Sequence, residues 1–218
     1  MIAEIEHKLA RYGMEESEDK LTGDFFGCMR YIPYTHGLKY IFDNYAQSKH
    51  DCEFENILKS INEDEFEFVF WKRSDEGEID AHMVIDDVSI GIEVKLNSKL
   101  SGEDQLIREA RMLREWDKNN QYKKLLLFVA RNKDIEEVYY NNYDKTLREG
   151  VHLGCISWEN ILQGLRGIKS DIHYEKLIIN DLCRLLEQKG FDGFLGFISH
   201  SSFNFLTSQP LRTITQLL

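Results

Sequence analysis

Residues 77–95 read GEIDAHMVIDDVSIGIEVK. Glu78 to Ile85 and Val88 to Leu96 have the composition of strands and are parted only by Asp86-Asp87, a pair suited to a tight hairpin turn. Alternate residues of a strand share a face, so Glu93 and Lys95 point one way while Ile90, Ile92, Val94 and Leu96 make the other face apolar. A strand with such a face is central, which puts the polar pair close to the core. An unpaired buried charge costs roughly several kcal/mol, so the pair is matched to itself, bound to a metal, or functional. Asp80 lies 13 residues before Glu93, and the turn brings it beside Glu93 across the ladder.

The segment before this hairpin, EFEFVFWKR at Glu65 to Arg73, alternates and is aromatic, as a half-buried strand should be. The three strands form a meander. Upstream, helical spacing predicts helices over Ile2–Tyr12, Glu18–Tyr31 (ended by Pro33), Gly37–Ala46 and Phe54–Ile61. Downstream, a helix opens at Ser101 or Gly102, with Ser101 as candidate N-cap, and runs to Asp117. Its apolar stripe is Leu106, Ile107, Ala110 and Leu113, and Gln105, Arg108, Glu109 and Met112 form an adjacent stripe. LLLFVA at Leu125 to Ala130 reads as a strand buried on both faces. A helix over Asp134–Glu149, a strand over His152–Ser157, and helices over Trp158–Leu165 and Ile172–Lys189 follow.

The fold class is therefore α/β: a central mixed β-sheet, a three-strand meander followed by crossover strands, flanked by helices. One domain is expected over residues 1–218, with a helical part at 1–62, a sheet core at 63–158, and helices and a tail at 159–218.

Composition is that of a globular protein, with 42% hydrophobic residues, 30% charged residues and two prolines. No stretch approaches the roughly 18 apolar residues of a membrane helix, and the start has no apolar run of signal-peptide length, so a cytoplasmic protein without membrane contact is expected. Cys28, Cys52, Cys155 and Cys183 have no CxxC spacing, which argues against a zinc knuckle and for reduced, buried thiols. The net charge of -11 speaks against a general affinity for phosphates. Its distribution is uneven: Asp51 to Glu93 holds 14 acidic residues against three basic, whereas Lys95 to Lys133 holds ten basic against five acidic. Runs of charge are usually solvated faces, yet an acidic cluster beside a basic strip is also what metal-dependent chemistry on nucleic acid requires.

Adjacent carboxylates repel, and a divalent cation relieves them; oxygen ligands select Mg2+, with Mn2+ as substitute. A lysine at that edge can orient or deprotonate water, or offset charge on a phosphate. The spacing itself is weak evidence. Glu-x-Lys recurs at Glu6–Lys8, Glu18–Lys20 and Glu187–Lys189, all in expected helices. Context distinguishes Glu93 and Lys95: a buried strand, an acid on the preceding strand, and a helix directly after.

Asp80, then IEVK at Ile92 to Lys95, then a helix bearing Gln105, resembles the PD-(D/E)XK nuclease superfamily. The resemblance implies a restriction-endonuclease-like core, with Asp80 and Glu93 binding Mg2+ and Lys95 assisting the hydrolytic water. It also implies a further metal-binding glutamate on an early helix; Glu18 is similar in position, with Glu15 and Glu16 as alternatives. Gln105, in GEDQL, takes a substrate- or lysine-positioning role by the same resemblance. The proline of the family name is absent, Ile79 standing before Asp80. The strand ending at Trp158 and the helix leading into GFDGFLGF also look like stand-alone members associated with bacterial anti-phage defence.

The expected activity is hydrolysis of phosphodiester bonds in nucleic acid, DNA rather than RNA. Lys99, Arg108 and Arg111 are the candidate phosphate contacts, although salt-bridged surface arginines would look the same. Double-strand cutting by one small domain would call for a homodimer or a partner protein. The rival expectation is a catalytically silent member of the same fold serving binding or assembly. His82 shares a face with Asp80 in a regular strand and reads as a satisfied core histidine. Trp71, Trp116 and Trp158 read as packing residues.

Overall fold

The computed structural model describes residues 18–192, apart from 97 and 99. The helix expected over residues 2–12, Glu15, Glu16, Lys99 and the tail beyond 192 lie outside the described residues. Three helices precede the sheet: α1 (Glu18–Met29), α2 (Leu38–Tyr45) and α3 (Cys52–Ser60). The strands are β1 (Glu67–Ser74), β2 (Gly77–Ile85) and β3 (Val88–Val94). Helix α4 (Gln105–Trp116) leads to β4 (Lys123–Ala130), and α5 (Asn132–Arg148) leads to β5 (His152–Ser157). Helices α6 (Trp158–Gly167) and α7 (His173–Gln188) follow. Of the cysteines expected to be buried only Cys155 is; Cys28 and Cys183 are half-buried, and Cys52, the first residue of α3, is exposed.

The five strands form one open mixed sheet in the order β1-β2-β3-β4-β5. β1, β2 and β3 pair antiparallel as the expected meander, and β4 and β5 join parallel after helical crossovers. The turn after β2 is the two-residue Asp86-Asp87 loop, with Ile85 opposite Val88 and Asp86 at φ 52°, a left-handed conformation that aspartate tolerates.

Each face of the sheet carries its own core. α1 to α3, α6 and α7 cover one face through Phe25, Phe26, Phe54, Trp158 and Leu182, which meet Ile90, Ile92 and Val94. α4 and α5 cover the other through Leu106, Leu113 and Tyr139, which meet Leu126 and Phe128. Burial of every residue of β3 bears out its reading as the central strand. Gly91 allows α4 to approach it: a Cβ there would stand 2.6 Å from Ile79 Cδ1 and 3.0 Å from Leu113 Cδ1.

Two departures from regular geometry bear on the site. α4 begins at Gln105, not at Ser101 or Gly102, because Gly102 at φ 141° turns the chain before the helix can start. Asp104 becomes the N-cap, without a side-chain bond to the helix, and Ser101 bonds the Gln105 side chain instead. The second departure is in β2, whose pairing with β3 stops at Ala81 opposite Ile92. Its pairing with β1 skips Asp80 and Trp71, the latter at φ 49°, an uncommon conformation for a bulky residue. Beyond the break Ile79 packs on the α4 side, whereas Ala81, Met83 and Ile85 pack on the other. Among the described residues no helix is long and apolar enough to cross a membrane.

Candidate active site

The end of β3 gathers groups from four elements. Glu93 is the penultimate residue of that strand, and Lys95 continues the line of the ladder, its N–H donating to Val129 O at 2.7 Å. The Trp158 indole N–H donates to Lys95 O at 3.3 Å, so the backbone of the lysine is held from both sides. Lys95 Nζ stands 2.6 Å from Glu93 Oε1 and 3.5 Å from Glu18 Oε2. The shared face inferred from alternation is thus a direct ion pair, with α1 supplying a second acid.

Asp80 reaches the site through the break in β2. Continuing the register would place it opposite Glu93, and its Oδ2 instead accepts the Val94 N–H at 2.8 Å. Glu18 Oε1 accepts from Leu96 N at 3.0 Å and Ser98 N at 3.3 Å, and from the Ser98 hydroxyl. The Gln105 carboxamide is oriented at both ends. Its Oε1 accepts from Ser101 N and Oγ at 2.6 and 3.1 Å, which leaves Nε2 to donate to Glu93 Oε1 at 2.5 Å and Glu109 Oε1 at 2.9 Å.

Electrostatics divide these acids into two kinds. Burial, then repulsion from Glu109, pushes the Glu93 carboxyl up to about 8. Burial also raises Glu109 to about 8, against the pull of hydrogen bonds from Glu93 and Gln105. Asp80 is raised well above the ordinary carboxylate range by desolvation and then by Glu93. Glu18 differs: burial opposes its ionisation, but the Ser98 hydroxyl, the Leu96 amide and Lys95 hold it below its usual value. Lys95 loses solvation, yet the acids around it, Glu93 first, keep its ammonium more firmly charged than a free lysine.

Glu109 was not among the residues singled out in the sequence for chemistry. It is 2% exposed, and Gln105 is buried beside it, so the stripe adjacent to the apolar one also turns inward. The available signal was spacing: Gln105, Glu109 and Met112 lie one helical turn apart on a flank of Leu106, Ala110 and Leu113.

The remaining candidates lie outside this group. Arg108 Nη1 donates to Glu76 O at 3.3 Å, and its Nε is 3.6 Å from Asp104. Arg111 pairs with Glu149 at 3.0 Å and approaches Glu76 at 3.9 Å. His82 is a buried histidine satisfied by Ser89 Oγ at 2.8 Å and Lys72 Nζ at 3.4 Å. Burial, then the Lys72 charge, pushes it down to about 4. Among the described residues no three His, Cys, Asp or Glu side chains form a group already set to hold a metal ion; the acids turn to Lys95 and to backbone amides. Compared with known protein families and curated proteins, the chain matches no family model and no curated sequence.

Proposed function

We propose that this chain is a metal-dependent nuclease of the PD-(D/E)XK kind, with a restriction-endonuclease-like core, that hydrolyses phosphodiester bonds in DNA in preference to RNA. One observation carries the reading. At the end of β3, Lys95 pairs with Glu93 and Glu18, and Asp80 and Glu109 lie close enough for their charges and its own to act on one another. The Glu109 Oε2 is buried with no N–H or hydroxyl donor, and burial, then repulsion from a neighbouring carboxylate, makes Asp80 and Glu93 resist ionisation.

This all-oxygen donor set suits a hard divalent cation, Mg2+ or its substitute Mn2+. Asp80 and Glu93, with Glu18, would hold it. Bound there, the ion would supply a Lewis acid that lowers the pKa of water and neutralises charge on the phosphate. Lys95 stays protonated among its acids, so its part is to orient a phosphate oxygen and offset the charge that develops there. Gln105 fixes the Glu93 carboxylate by a hydrogen bond and so acts through it.

The test is incubation of the purified protein with supercoiled plasmid, linear duplex, single strands and RNA, each with Mg2+, Mn2+ or EDTA. Cleavage is expected with either metal and not with EDTA. Lys95→Ala should lower it by about 10²–10³-fold, the usual cost of removing one group that stabilises developing charge. Equal cleavage by Lys95→Ala would defeat the assignment.

A second reading, a silent binding or assembly module of the same fold, is favoured by one observation. Arg108 and Arg111 are tied to Glu76, Asp104 and Glu149 on a chain whose net charge is -11. Under that reading no metal binding depends on Asp80 and Glu93.

A further inference from the structure

Glu109 sits in the second turn of α4 with its carboxyl turned toward Glu93, on the face of the sheet opposite α1. Gln105 Nε2 donates to Oε1 alone; Oε2 is buried, in a residue 2% exposed, with no N–H or hydroxyl donor. The carboxyl of Glu93 lies within hydrogen-bond reach of it. Two carboxylates in contact cannot both stay ionised unless something positive joins them, and that is either a shared proton or a cation. Lys95 forms ion pairs with Glu93 and Glu18 and none with Glu109.

From this geometry we infer that Glu109 is a further cation-holding residue, which takes the divalent ion together with Glu93 on the α4 side of β3. The inference rests on the metal-dependent reading above and adds to it an acid from the helix that follows the strand. It gives the buried Oε2 a partner and explains why Gln105 is oriented so firmly: its amide holds Oε1 of each acid and leaves the second oxygens of the two to face the ion.

Isothermal titration of the full chain with Mn2+ alone, without nucleic acid, tests it. The unaltered chain, Glu109→Gln, Asp80→Asn, Glu93→Gln and the exposed control Glu137→Gln are compared, each with a thermal melt in EDTA. Glu109→Gln should weaken Mn2+ binding at least tenfold, and Glu137→Gln should not change it. The melting temperature of Glu109→Gln should equal or exceed that of the unaltered chain, because glutamine keeps an acceptor for Gln105 and puts an N–H donor where two carboxyl groups meet. Unchanged Mn2+ affinity in Glu109→Gln, with binding lost in Asp80→Asn and Glu93→Gln, overturns this inference and leaves the proposed function standing. A melting temperature lowered by several degrees would show Glu109 to be a structural partner of Gln105 and overturns it too. Failure of the unaltered chain to bind Mn2+ defeats the metal-dependent reading, and this inference with it.

Discussion

Two lysines, Lys124 in β4 and Lys95 just past the end of β3, pair with buried acids, and they are opposites. Lys124 in β4 lies 2.7 Å from Asp117, with the side chains 4% and 5% exposed. Its other contacts are Asn120 Oδ1 at 2.7 Å and Tyr122 O at 3.0 Å, so each of its three N–H groups has an acceptor. Asp117 takes the Gln121 and Tyr122 amides at 2.8 and 3.0 Å. Burial works against its charge, but the Lys124 hydrogen bond and those two amides hold it down at about 2. One positive group, one negative group and a full set of hydrogen bonds make a closed unit. At Lys95, by contrast, the acids outnumber the base and several resist ionisation. A Lys–acid pair is common to both regions; under the proposed function, the imbalance of charge at Lys95 is what receives a cation.

The largest expected effects should fall on different observables in the two regions. Lys95→Ala is expected to cost about 10²–10³-fold in cleavage. Lys124→Met should leave cleavage per folded molecule unchanged but lower stability by about 3–5 kcal/mol, since it strands the Asp117 carboxylate. Urea unfolding of both variants beside the plasmid assay checks the pair. A Lys124→Met loss below about 1 kcal/mol would break the comparison by showing that the closed pair stabilises little.

A smaller effect separates the two by pH. His82 is held at about 4, whereas a free histidine has 6.5. Between these values the unfolded chain binds a proton that the folded chain refuses, so stability is full above pH 6.5 and falls as pH drops toward 4, by up to about 3 kcal/mol. The acid cluster has the reverse sign. Glu93 and Glu109, raised from 4.5 to about 8, contribute stability below pH 4.5 that is lost as pH rises through that window. The two trends oppose each other in the intact chain, and His82→Gln should isolate the first. Relative to the unaltered protein, the variant's urea midpoint should rise from pH 7 to pH 4.5; a constant difference would mean that His82 is not held neutral.

Most of this architecture was legible in the sequence because its signals are local. Alternation in EFEFVFWKR and in residues 78–96, the Asp86-Asp87 turn and the continuous run LLLFVA each depend on a few neighbours. The pairing of Glu93 with Lys95 followed from the period of two. What escaped depends on longer-range geometry. The start of α4 was misplaced because Gly102 bends the chain, and a candidate cap residue carries no record of that bend. Glu109 was passed over because a glutamate on a flanking stripe looks solvated until the helix is docked, and Gly91 is what lets it dock so closely. Glu18 was placed by resemblance, and its Glu-x-Lys spacing with Lys20 gave no warning that its carboxylate would meet Lys95 instead.

The smallest effect extends the comparison to a third cluster, which is exposed and close to balanced. Glu149, at the end of α5, holds Arg111 at 3.0 Å and Arg114 at 2.6 Å, so one carboxylate serves two guanidinium groups. Arg111 and Arg114 are 41% and 54% exposed, and exposed pairs of this kind contribute about 0–1 kcal/mol. Glu149→Gln should therefore change stability by less than about 1 kcal/mol. If these arginines meet phosphates, as the proposed function allows, freeing them from Glu149 should tighten binding of linear duplex DNA by a few-fold. It should also steepen the dependence of that binding on salt, because phosphate contacts release counterions. Fluorescence polarisation in EDTA at two salt concentrations measures both. An unchanged affinity and an unchanged slope would mean that the Arg111–Arg114 face does not meet nucleic acid.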